Sequence, residues 1–221
     1  MKIHTIPSTR KLLLHGGIIF TIIVLLWPVL MIIAEPGGTV DEQFSSIVEN
    51  SLAYRINFFL ASLIAPALVV VMITLALFVD TKKETPFLNS IGVFLLIPYL
   101  ILVSIAYTSQ YVLLPKLFAN PELAMIWFFA GPNSIAYFLN QLGYTFFAIA
   151  ACAIGWKFLF ETGLSKAMGI LLWTSGTLSI VAFIGLAIEN EFLNLATFLS
   201  GVLTIPFGVL VALKGWSMRW A

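Results

Sequence analysis

Residues 131–156 read GPNSIAYFLNQLGYTFFAIAACAIGW. At helical spacing one face of this stretch carries Asn133, Tyr137, Asn140, Gln141 and Tyr144, then continues as Ala148, Ala151, Cys152 and Gly155. The stretch is long enough to cross a bilayer, and amides facing acyl chains would lose water without gaining a partner. The polar half of this face is therefore expected to point at other helices. That expectation puts the segment at the centre of a helical bundle.

The composition agrees. The chain has 221 residues, 61% hydrophobic and 10% charged, whereas soluble domains run at about 45–50% apolar and about 25% charged. Several apolar runs reach the ~20 residues that a helix needs to span the hydrocarbon core. A net charge of +1 gives no reason to expect a nucleic-acid partner. The single cysteine, Cys152, excludes an internal disulfide and a cysteine-based metal site.

Working outward, the chain reads as one all-α integral membrane domain over residues 1–221, with spans near 12–34, 57–79, 90–114, 133–156, 167–188 and 192–213. The first run is too long for a signal-peptide core and has Ile32 two residues before Ala34, which argues against cleavage there. Apolar nearly all round, it is expected at the bundle edge. Thr39-Val40-Asp41-Glu42 has capping-box spacing, and Val40, Phe44, Ile47, Val48 and Leu52 recur on one face of an interfacial helix. Asn120-Pro121-Glu122 opens another helix. Unbroken to Trp156 it would be about 54 Å long, so Gly131-Pro132 is taken as a break. Residues 121–130 are then expected to lie along the interface as a lid.

Charge sets the expected topology. With both termini inside, Lys2, Arg10, Lys11, Lys82, Lys83, Lys157, Lys166, Lys214 and Arg219 fall on the inner side, against Arg55 and Lys116 outside. Acids show the reverse bias, with Glu35, Asp41, Glu42, Glu49, Glu122, Glu189 and Glu191 outside. The prolines of the spans do not match in depth between halves, so no inverted repeat supports a transporter of that type.

No Asp, Glu, Lys or Arg lies inside a predicted span, which argues against proton-coupled carriers. His4 and His15 are the only histidines and both sit near the inner side, so paired-histidine haem is excluded. Thr174-Ser175-Gly176 has no base at its depth. The chain offers no catalytic constellation, metal site or cofactor motif, and is expected not to be an enzyme.

What is left is a polar belt toward the outer side. The third span supplies Tyr107, Thr108 and Tyr111; the fourth Asn133, Tyr137, Asn140, Gln141 and Tyr144; the sixth Asn194 and Thr197. These residues are expected to line an outward-facing cavity that binds or passes a small neutral or zwitterionic molecule, or a lipid headgroup. Arg55 is placed at its mouth, where it would draw an anionic group. The competing reading treats the belt as interhelical glue, worth about 0.6 kcal/mol per hydrogen bond, in a structural or accessory subunit of a membrane complex. Adjacent amides at Asn140 and Gln141 favour the cavity, because packing alone rarely satisfies both. The partners expected are the lipid bilayer, a small-molecule or lipid ligand and, on the competing reading, another membrane protein.

Three segments, AYRINFF from Ala53, LGYTFFAIAACAIGWKFLFETGLSKAMGILLW from Leu142 and PFGVLVALKGWSMRW from Pro206, carry a resemblance to an uncharacterised family of small bacterial multi-pass membrane proteins classed as a domain of unknown function. The resemblance implies a bacterial cytoplasmic membrane and a bundle of six to seven helices. It implies no activity.

Overall fold

The computed structural model describes residues 7–34, 37–80, 86–131 and 133–218. Lys2, His4, Lys82, Lys83 and Arg219 of the charge pattern, together with Glu35, Pro36 and Pro132, lie outside the described residues. Among the described residues the chain is all-α. Six segments are long and apolar enough to cross a membrane, namely Ser8–Ala34, Ser51–Phe78, Phe87–Leu117, Ile135–Phe160, Gly163–Ala187 and Glu191–Ser217.

The first span is α1 (Pro7–Ala34). Next comes α2 (Val40–Glu49), whose capping box is complete: Thr39 accepts from the Glu42 amide while the Glu42 carboxylate accepts from Thr39 N–H at 2.7 Å and from its hydroxyl at 2.9 Å. The backbone bond, and after it the hydroxyl bond, hold the Glu42 carboxyl below its ordinary pKa. Only Phe44 and Ile47 of the expected apolar face are buried, while Val48 and Leu52 are exposed.

The second span is α3 (Ser51–Ser62) followed by α4 (Ile64–Asp80). Pro66 explains the break, since it has no N–H to give the Ser62 carbonyl four residues back. The third span is α5 (Pro86–Thr108), a π-helical turn over Ser109–Leu113, and α6 (Leu114–Leu117). Here the Leu114 amide bonds the Ser109 carbonyl, and Pro115 cannot supply the i−4 bond to Tyr111.

The expected interfacial helix is α7 (Pro121–Trp127), capped by Asn120. A turn at Gly131, with Asn133 at φ 58°, reverses the chain into α8 (Ile135–Gly155), where Ser134 is the cap. After a 3-10 turn over Lys157–Phe160 come α9 (Gly163–Ala187), α10 (Glu191–Asn194) and α11 (Ala196–Ser217). By alternation of the spans α2, α7 and α10 share one end of the bundle, called here the capped end. The lysines Lys157, Lys166 and Lys214 lie at the opposite, basic end.

Each span packs on its neighbours in the chain, and α1 closes on α11, so the six form a ring. The first span is the least buried of the six, as expected of a helix at the bundle edge, yet it closes the ring. The fourth comes nearest to the centre, since α8 also touches α4 across the ring. The closure depends on glycine. A Cβ on Gly17 would lie 2.6 Å from the Ala212 amide nitrogen and 2.9 Å from the Gly208 carbonyl oxygen. The small-residue face of α8 likewise meets α9, where a Cβ on Gly176 would come within 2.9 Å of the Ala148 carbonyl oxygen.

Toward the basic end the ring is filled by Leu13, Leu68, Met72, Ile154, Phe207 and Val211. Toward the capped end the filling is aromatic. Phe128 packs on Phe44 with ring centroids 5.6 Å apart, and Phe129 reaches Phe58 at 5.4 Å and Tyr137 at 5.5 Å. The lid therefore turns its last residues down into the ring.

Candidate functional site

Beneath the lid lies a cavity of about 460 Å³. Seven of the residues expected to bind a ligand line it: Tyr107 from α5; Tyr137, Asn140, Gln141 and Tyr144 from α8; and Asn194 and Thr197 from α10 and α11. On α8 these positions recur every three or four residues, so they form one stripe down the helix. They descend over roughly two turns, about 10 Å, and Phe129 roofs them.

Three expected residues are elsewhere. Thr108 is half-buried, one residue and so about a quarter-turn around the helix from Tyr107. Tyr111 packs edge-on against Phe59 with centroids 5.8 Å apart. Its neighbour Gln110 binds the lid backbone, so the roof cuts the cavity off below Tyr111. Asn133 is exposed and serves the turn, where its positive φ suits asparagine. Arg55 is exposed and does not line the cavity. The charged residue in the lining is Glu191, so the sign of the expected charge is reversed.

The polar groups divide into two sets. In the first, every hydroxyl has a partner. Ser200 bonds Ser175 and Ser179, each at 2.8 Å, and ties α9 to α11. In the second set, Tyr137 donates its hydroxyl proton to Asn194 Oδ1 at 2.8 Å. With that proton committed, Gln141 must approach Tyr137 with its NH₂. Gln141 Nε2 donates to the Tyr137 oxygen at 2.8 Å and to Thr197 Oγ1 at 2.8 Å. Both amide hydrogens are then used, and Gln141 Oε1 faces no protein donor among the described residues. Asn140 Oδ1 has none either, and the Trp27 indole N–H, on a residue that lines the cavity from α1, has no acceptor among the described residues. Asn140 is 3% exposed and Gln141 1%. A buried carbonyl oxygen without a donor costs about 1–3 kcal/mol, and two adjacent ones mark a place where a donor from outside the fold is welcome.

Compared with protein-family models, curated proteins and solved structures, the chain matches none. The functional reading therefore rests on its own residues.

Several lining residues have only a weak signal in the sequence. Trp27 sits in a span with no other sign of polarity on that turn. Glu191 belongs to a short acidic turn that reads as solvated loop. Ser179 and Ser200 are single hydroxyls in apolar runs. Gln110, fully buried, lies next to Tyr111 and was masked by it: its Oε1 accepts from the Tyr54 hydroxyl at 2.7 Å and the Phe129 amide at 3.0 Å, and its Nε2 donates to the Trp127 carbonyl at 2.8 Å.

Proposed function

We propose that this multi-pass membrane protein is a non-enzymatic binding or passage protein, in which the cavity takes a small molecule or a lipid headgroup from the outer side. The observation that carries this reading is that two adjacent residues of the cavity lining, Asn140 and Gln141, each keep a buried carbonyl oxygen without a protein donor. The glue reading accounts for the serines between α9 and α11 and for Gln110. It accounts for the Gln141 NH₂ too, which ties α8 to α11, and leaves the two carbonyl oxygens without a role.

The orientation belongs to the same proposal. With the basic end inside, the capped end and Glu191 face out of a cell membrane, in keeping with the bacterial cytoplasmic membrane that the family resemblance implies. The lining offers no nucleophile with a base, which supports a binding role over a catalytic one.

The test is native mass spectrometry of protein released from mild detergent. Wild type should retain a small molecule or single lipid that the Asn140→Leu/Gln141→Leu double variant, folded by circular dichroism, has lost. Equal occupancy in both, or none in wild type, would count against the cavity.

A further inference from the structure

Resting on that reading, we propose that the ligand is an amphiphile bearing a protonated amino group. The head would be held by Asn140 and Gln141 and the apolar body would lie between α1 and α11.

Three features point the same way. First, two of the unpaired buried atoms of the lining residues are acceptors, Asn140 Oδ1 and Gln141 Oε1, against one donor, the Trp27 indole N–H, which favours a ligand that brings N–H or O–H donors. Second, the charged residue of the lining is the Glu191 carboxylate, and no Lys or Arg among the described residues lines the cavity. Glu191 stands six residues, about 9 Å at helical rise, above Thr197 and the Gln141 level. It is too far to touch the same head and is placed to draw a cation inward. Third, the approach is rich in π faces, those of Trp27, Phe129, Tyr137 and Tyr144, which stabilise a cation.

The body has a place as well. Where Gly17, Gly208 and Gly215 bring α1 and α11 together, backbones nearly touch. Toward the capped end, the stripes by which the two helices would otherwise meet line the cavity instead: Val24, Trp27 and Pro28 on α1, and Phe198, Val202 and Ile205 on α11. A Cβ on Gly201, between them, would have nothing within 4 Å. Phe198 and Val202 are exposed. The cavity thus continues as an apolar fissure toward the bilayer face, with its polar head site on α8.

The experiment is a charge series on one body. Purified full-length protein is titrated with 4-phenylbutylamine, 4-phenylbutan-1-ol and 4-phenylbutanoate at neutral pH, with binding read by the thermal unfolding midpoint. The amine should bind about tenfold more tightly than the alcohol, as a charge-assisted hydrogen bond requires, and the carboxylate should not bind. Asn140→Leu should remove the amine's advantage, and Asn140→Asp should enlarge it. Glu191→Gln should lower amine affinity a few-fold at low salt, and the effect should fade at high salt.

Alcohol binding as tightly as amine would overturn the amine claim and leave the cavity reading standing. Binding by none of the three, with Tyr144→Cys, half-buried in the lining, inert to water-borne thiol reagents, would overturn both. Repeating the amine titration in nanodiscs with and without ethanolamine phospholipid separates the sources. Weaker apparent affinity with that lipid identifies its headgroup as the occupant; unchanged affinity identifies a free amine. Either supports the proposal.

Discussion

The side chain of Gln110 holds the backbone amide of Phe129 at 3.0 Å, nineteen residues away. The same oxygen accepts from Tyr54 at 2.7 Å, and the amide nitrogen reaches the Trp127 carbonyl at 2.8 Å. One glutamine thus joins the second span, the third span and the lid. The π turn that Pro115 favours is where this glutamine sits. The height of the cavity roof follows, since Phe129 is fixed from behind.

Gln110→Leu should therefore be costly. It takes one bond from the Tyr54 hydroxyl and strands the Phe129 N–H and the Trp127 carbonyl, at about 1–3 kcal/mol for each backbone group left unpaired. A fall in stability of roughly 2 kcal/mol or more is expected in chemical denaturation. Limited proteolysis should open first at residues 127–131. A variant as stable as wild type would show that the lid is held by its aromatic rings alone.

The two adjacent amides should respond in opposite ways. Asn140→Leu removes a buried acceptor that has no donor, so the thermal midpoint should hold or rise. Gln141→Leu deprives the Tyr137 oxygen and Thr197 of a donor, at about 1 kcal/mol. Asn57 is a control: it is fully buried, neither amide atom is paired, and it is outside the cavity lining. Asn57→Leu should raise stability and leave any bound molecule in place. A large loss from Asn140→Leu would favour glue.

Ring closure can be tested at Gly17. Its Cβ position lies 2.6 Å from a backbone nitrogen of α11, which a flexible side chain cannot relieve by moving. Gly17→Ala should cost about 1–3 kcal/mol by overpacking, and Gly17→Val more. Detergent-solubilised variants should show lower thermal midpoints, whereas Gly201→Ala, with open space around it, should be neutral.

How much of this was legible beforehand depends on periodicity. Long apolar runs gave the spans their places, and Asn120-Pro121 and Gly131 gave the lid its bounds, because caps and breaks act within a few residues. The stripe Tyr137, Asn140, Gln141, Tyr144 was legible because one helix sets it. Closure of α1 onto α11 was not, since it joins the two ends of the chain through small residues that carry no periodic signal. Tyr111 and Gln110 show the same limit. Spacing favours the tyrosine, but the lid's backbone selects the glutamine. Arg55 and Glu191 exchange roles for a related reason: depth is readable from the sequence, while position around the ring depends on which helices are neighbours.

Orientation calls for labelling from the two sides of the membrane. In a Cys152→Ala background, Ser45→Cys on α2 and Thr162→Cys before α9 occupy exposed positions at opposite ends. The neighbouring Ser165 is 3% exposed and unsuitable. Only Ser45→Cys should react with an impermeant maleimide in intact cells, and Thr162→Cys only after lysis. Reaction of both from one side would refute the six-span arrangement.

The most direct test asks whether the polar stripe of α8 faces a cavity or lipid. Tyr144→Cys, at a half-buried position of the cavity lining, and Phe138→Cys, each in the Cys152→Ala background, are treated in membranes with a positively charged methanethiosulfonate reagent. The thiol at position 144 should react readily, and the thiol at 138, where Phe138 is exposed on the bundle's outer face, should stay inert. An inert thiol at 144 beside a reactive one at 138 would contradict the placement of this stripe and the cavity built on it.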